Sequence, residues 1–211
     1  MSLHEINKKQ LIVVYDNILI FLSIGGLTVR NKEKSSYALP SCHVYSVQDN
    51  IWMVIPNLPI DGGIHSHAMS YDNHRFVYSV GGLTAEEQVL CDVFKLDTHN
   101  LSCGWSRLSA SIQPVYSHTC HIVDNKVVVV GGIGEEGEEM HVQIMDLNTL
   151  RTDKYRLPVS VDEKLRMYFN HTSHVIDGID SVKSIMIIGG GGNCFSFGTH
   201  MNRDVLAFQL P

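Results

Sequence analysis

Four times the chain drives an apolar run into adjacent glycines: IFLSIGGLT at Ile20–Thr28, FVYSVGGLT at Phe76–Thr84, KVVVVGGIG at Lys126–Gly134, and SIMIIGGGGN at Ser184–Asn193. Four or five branched and long apolar residues in succession predict a strand buried on both faces. Glycine at the strand exit admits positive φ and lets another backbone approach closely, where a side chain would obstruct it. The leading glycines are Gly25, Gly81, Gly131 and Gly189, so the event recurs about every fifty residues. A fixed motif at that period excludes an ordinary single-core domain and demands a repeat array.

A period near fifty is that of kelch repeats, whose units are four-stranded propeller blades. The expected fold is therefore all-β, a kelch-type β-propeller segment spanning residues 1–211. Its units are approximately 9–57, 65–110, 117–158 and 170–211, about four blades with the last incomplete, and part of a larger propeller. The chain order within a unit is legible. In the first, Gln10–Tyr15 and Ile18–Ile24 flank the turn Asp16-Asn17, and Cys42–Val47 and a strand around Trp52 follow the glycines. Trp52, Trp105 and Tyr155 lie at similar distances beyond their doublets, which predicts buried, equivalent outer-strand aromatics. Counting on from Gly190 overruns Pro211, so the fourth unit should lack its outermost strand and leave an edge that invites self-association. Only Ser160–Phe169 could make a short helix, two turns within a connection.

Composition narrows the function classes. With 44% apolar and 18% charged residues the chain reads as a soluble globular protein, and a net charge of −6 argues against autonomous nucleic-acid binding. No apolar run is long enough for a transmembrane helix, no secretion signal is read at the N-terminus, and five cysteines without a CxxC pair suit a reducing, cytoplasmic setting. Twelve histidines raise the question of metal. Three of them, His67, His118 and His171, align at the start of the inner strand of successive units, each followed by Ala or Thr. Repetition at one place points to hydrogen bonds between neighbouring blades, and no compact ligand spacing appears, so no metal site is expected.

The loops after the glycines differ from unit to unit, as a recognition face on a rigid scaffold would. The first offers Arg30, Lys32 and Lys34; the next two offer Glu86, Glu87, Glu135, Glu136, Glu138 and Glu139, which also read simply as solvated charge. The fourth offers Cys194, Phe195, Phe197, His200 and Arg203, the candidate substrate- or partner-binding residues. Its glycines are not a phosphate loop: Cys194 stands where a third glycine of GxGxxG would fall, and no helix follows. Cys194 and His200 could in principle be nucleophile and base, but no thiol-activating environment is legible, and no catalytic residue is assigned.

The stretch GGGGNCFSFGTHMN, Gly189 to Asn202, resembles the closing kelch repeat of the wybutosine-synthesizing carboxyl methyltransferases, the tRNA wybutosine-synthesizing protein 4 or leucine carboxyl methyltransferase 2 family. The resemblance implies work on wybutosine, the modified guanosine beside the phenylalanine tRNA anticodon. In that family a methyltransferase domain, N-terminal to the kelch repeats, uses S-adenosylmethionine to methylate a carboxyl on the base, and methoxycarbonylation follows. No S-adenosylmethionine loop is read in these 211 residues. The expectation is therefore a C-terminal fragment, isoform or incomplete gene model, non-catalytic by itself, that docks tRNA through a catalytic domain. The alternative is a protein-interaction module, such as a ubiquitin-ligase substrate adaptor.

Overall fold

The computed structural model describes residues 9–15, 18–29, 36–135, 137–138, 141–157, 168–178, 182–194, 198–202 and 204–211. Four antiparallel sheets follow one another along the chain, each built from consecutive strands as a propeller blade is. Blade one comprises Lys9–Tyr15, Ile18–Ile24, Cys42–Ser46 and Ile51–Ile55. Blade two comprises Ala68–Tyr71, Phe76–Val80, Asp92–Asp97 and Trp105–Ser111. Blade three comprises Thr119–Val123, Lys126–Val130, His141–Asp146 and Thr152–Arg156. Blade four has three strands among the described residues, His171–Asp177, Lys183–Gly189 and Leu206–Gln209. The expected helix at Ser160–Phe169 falls largely on residues 158–167, outside the described ones, as does the Asp16-Asn17 turn. A short 3-10 turn at Leu101–Cys103 is described instead.

The chain forms two compact bodies, Met1–Tyr116 and Ser117–Pro211, each holding two blades. In the first, Leu22, Ile24, Cys42, Val44 and Ile55 of blade one pack with Val77, Phe94 and Leu96 of blade two. In the second, Val128, Val130, Val142 and Ile144 of blade three pack with Ile185 and Ile187 of blade four. Alternation along each strand gives every blade two apolar faces, which explains the continuous apolar runs preceding the glycines. Within each body, we call the face that the first blade turns to the second its forward face and the face that the second turns to the first its rear face, and name the opposite face of each accordingly.

The doublets are where the connection to the following blade touches down. Gly26 donates its N–H to Ile64 O at 2.8 Å, Gly82 to Val115 O at 2.8 Å, and Gly132 to Tyr168 O at 2.6 Å. Each acceptor lies three residues before one of the aligned histidines. At Gly131, φ is +57°, and a Cβ would lie 2.1 Å from Tyr168 O. No side chain fits there, so the glycine is demanded by both conformation and space.

Candidate functional site

Each doublet opens an excursion between the second and third strands of its blade, and in blade four this excursion is the sequence-predicted site. Gly191–Cys194 and Gly198–Met201 pair as a small antiparallel hairpin, with Gly192 opposite His200 and Cys194 opposite Gly198. Its base is anchored. Gly191 N–H donates to Phe169 O at 3.1 Å, Asn202 N–H to Gly190 O at 2.9 Å, and Asn202 Nδ2 to Gly189 O at 3.0 Å. Thus Cys194 and His200 are brought to facing strands of one hairpin, while Phe195, Phe197 and Arg203 lie outside the described residues. Blades one and three carry comparable hairpins, Leu27–Val29 with Ser36–Ala38 and Ile133–Gly134 with Gly137–Glu138. Glu86, Glu87 and Glu135 on these excursions are exposed; Arg30, Lys32, Lys34, Glu136 and Glu139 lie outside the described residues.

A second polar cluster was only half legible in the sequence. His67, His118 and His171 are all buried, as their repetition suggests. His171 Nε2 and Thr119 Oγ1 are hydrogen-bonded at 2.9 Å, joining the inner strands of blades three and four. The same Thr119 hydroxyl meets Ser173 Oγ at 2.5 Å, and Ser173 Oγ meets His121 Nε2 at 2.7 Å. Burial, reinforced by neighbouring His174, pushes the His121 pKa down to about 4, so the ring is neutral near pH 7. A serine hydroxyl beside a neutral imidazole has the form of a nucleophile and base, but Ser173 is buried and shares its hydroxyl with two partners. The cluster ties strands together.

The repeat also hides a conformational signal in front of each aligned histidine. Ser66, Ser117 and Asn170 have φ of +54°, +56° and +51°. Left-handed backbone is unusual outside glycine and asparagine, and Ser-His or Asn-His at each inner-strand start is its trace in the sequence. Ser66 also separates His65 at the end of Ile64–His65 from the strand that follows His67.

The aromatic landmarks divide. Trp52 and Trp105 occupy equivalent places, paired opposite Tyr45 and Leu96 in their sheets. Trp105 packs against the N-terminal core, yet Trp52 is 60% exposed, which overturns its expected burial. The reason is the face it occupies: Trp105 lies on the rear face of blade two, covered by blade one, while Trp52 lies on the rear face of blade one, which is open. Tyr155 is not equivalent to either tryptophan. It pairs with Val142 and packs against Phe208 of blade four, on the forward face of blade three, because the connections of that blade are shorter.

Cys42, Cys91, Cys103 and Cys120 are free thiols. Burial raises the Cys42 pKa to about 11, so it is an inert core residue. No cluster of metal-ligating side chains occurs among the described residues, nor is any described helix long and apolar enough to cross a membrane.

Comparison with known proteins agrees with this geometry. The KLHDC2/KLHL20/DRC7 Kelch-repeats domain matches residues 10–211. The chain belongs to the kelch-repeat family. In three dimensions the solved structure titled "Structure of YjhT" superposes with a TM-score of 0.70 at 13% identity, over 95% of this chain and 68% of that one. The fold is thus an all-β kelch propeller arrangement, here of four blades. Among curated relatives, the tRNA wybutosine-synthesizing protein 4 of Rattus norvegicus is 30% identical over 94% of this chain, and that of Homo sapiens 31% over 82%. The Kelch-like protein 41a of Danio rerio is 28% identical over 64%. The kelch chain spans only 28%, 25% and 21% of those relatives.

Proposed function

We propose that this chain is the kelch propeller portion of a wybutosine-type tRNA-modifying carboxyl methyltransferase and that it docks the catalytic domain or its tRNA substrate. The observation that carries the reading is the 30% identity to the rat wybutosine-synthesizing protein across 94% of the chain. In this reading the methyl transfer and its S-adenosylmethionine belong to a methyltransferase domain, and the assembly works in the cytoplasm. The kelch chain contributes the anchored hairpin, on which Cys194 and His200 stand on facing strands, together with Phe195, Phe197 and Arg203. Aromatic faces and cationic donors suit a stacked base, with stacking worth about 1–3 kcal/mol per base. A second reading, a protein-interaction adaptor, is favoured by the similarity to Kelch-like protein 41a and by the exposed carboxylates Glu86, Glu87 and Glu135.

The test measures binding of the intact chain to the methyltransferase domain of the rat relative and to phenylalanine tRNA, alone and together. His200→Ala and Arg203→Ala should abolish docking with an unchanged melting temperature. Binding to neither, or binding that both variants retain in full, would sink the proposal and leave the adaptor reading.

A further inference from the structure

The outermost strand of blade one, Ile51–Ile55, reads IWMVI and carries no charge. Ile51, Trp52, Met53 and Val54 are 49%, 60%, 37% and 76% exposed, an unbroken apolar run in solvent. The strand ends its sheet, so one side of its backbone has no strand partner among the described residues. A bare apolar edge is a template for another strand, and folded proteins guard such edges with charges or bulges. The outer strands of blades two and three are guarded in this way. Trp105–Ser111 shifts register against Asp92–Asp97 and exposes Arg107, which pairs with Asp92. Thr152–Arg156 exposes Asp153, Lys154 and Arg156. Blades of a propeller stack face to face, so another blade on either face of blade one leaves this outer edge bare.

The hydrogen-bond phase of the sheet fixes which main-chain groups the edge offers. Val47 N–H donates to Leu19 O at 3.1 Å, and Gly25 N–H donates to Ser41 O at 3.2 Å. Ser41, His43, Tyr45 and Val47 therefore turn their main-chain groups towards Ile18–Ile24, and Cys42, Val44 and Ser46 turn theirs towards Ile51–Ile55. Opposite these stand Ile55, Met53 and Ile51, whose N–H and C=O groups point inwards. Trp52 and Val54 point theirs outwards. Tyr45 and Trp52 are accordingly a non-hydrogen-bonded pair, the closer kind, and their ring centroids lie 5.1 Å apart. The outward ladder also has a stop, because Pro56, the next residue to face that way, has no N–H to give.

Outward residues on either side of one inward residue make this strand its own antiparallel complement. With Met53 on a two-fold axis, Trp52 of one copy lies opposite Val54 of the other, and each outward N–H and C=O of these residues finds a partner. The pairing sets an aromatic ring beside a β-branched side chain, a favourable cross-strand match, and Ile51 beside Ile55. Further along, Asp49 falls opposite Asn57, so no like charges meet. A foreign strand would match this register by coincidence, whereas a copy matches it by symmetry. We infer that two copies of this chain pair edge to edge through Ile51–Ile55, joining their first blades into one continuous sheet. The contact is isologous, so it closes at two copies, and it covers the outer edge that no charge or bulge guards.

Cysteine crosslinking of the full chain reads the register directly. On the two-fold axis the position-53 pair is non-hydrogen-bonded, with Cα atoms about 4.5 Å apart, within the span a disulfide bridges. Met53→Cys should therefore give a covalent dimer under mild oxidation, with the two position-53 thiols joined in the digest. Ile51→Cys should give no such link through position 51, because that position faces Ile55 of the other copy. In sedimentation velocity the unmodified chain should pass from monomer to dimer with concentration and go no further. Val54→Lys places a charge on the edge and should weaken the dimer at least about tenfold. Its side chain is the most exposed of the strand, so far-UV circular dichroism should be unaltered; if it unfolds, the two cysteine variants decide alone. A chain monomeric at every concentration, species larger than a dimer, or crosslinking at position 51 equal to that at position 53 overturns the inference. So does a folded Val54→Lys chain that dimerises as the unmodified one does.

Discussion

Replacing Gly131 by alanine should be far more damaging than the same change at Gly189, although both lead a glycine doublet at the end of a blade's second strand. Both have left-handed backbone, φ +57° and +72°, so an alanine pays about 1–2 kcal/mol of conformational strain at either site. At Gly189 the added methyl meets open space, and that strain is the whole effect. At Gly131 the methyl would fall 2.1 Å from Tyr168 O and 2.7 Å from Tyr168 Cβ. The linker must retreat. Retreat sacrifices the 2.6 Å hydrogen bond from Gly132 N–H to Tyr168 O, worth about 1 kcal/mol. It also loosens the buried Tyr168 ring in the C-terminal core, adding roughly 1–2 kcal/mol as a partial loss of a large side chain's packing. Gly131→Ala should therefore cost about 3–5 kcal/mol and Gly189→Ala about 1–2. Urea denaturation followed by far-UV ellipticity gives the two values, and hydrogen exchange at residues 126–130 localises the loss. Equal losses at the two glycines would refute the argument that the linker's approach, rather than φ alone, selects the doublet.

The neutral His121 makes stability pH-dependent. Its folded pKa, about 4, lies below the ordinary histidine value of 6.5, so its contribution is complete above about pH 6.5 and is lost as pH falls towards 4. The shift corresponds to at most about 3 kcal/mol, and His121→Gln should flatten the urea midpoint across that interval. Ser117→Gly should raise stability by about 0.5–1 kcal/mol, because glycine takes the +56° backbone without strain; a fall in the melting temperature would mean the serine side chain has another task. In dilute solution Trp105→Ala should cost about 3–5 kcal/mol and Trp52→Ala only about 0.5, with Trp52 emitting to the red of Trp105; equal costs would contradict the open face of blade one.

Everything enforced over a few neighbouring residues was readable in the chain. Gly25 and Gly131 had to be glycine because left-handed φ and a close approach of the next connection coincide there, and the apolar runs before them had to be strands buried on both sides. The strand order of each blade follows from these, and of the recurring histidines His171 forms the interblade hydrogen bond that repetition suggested. The left-handed Ser66, Ser117 and Asn170 were visible only as letters, since a serine seldom advertises its backbone conformation. Of the candidate site, the sequence indicated an excursion after Gly190; the register that sets His200 opposite Gly192 arose from the closure of the hairpin. Tertiary packing alone decided the fate of the aromatics. Trp52 and Trp105 have the same local setting, but one is exposed and the other half-buried, because burial on a sheet face depends on which blade lies against it. Likewise Ser173 and His121 lie 52 residues apart and meet only because the inner strands of two blades pack side by side, a proximity that no local pattern encodes.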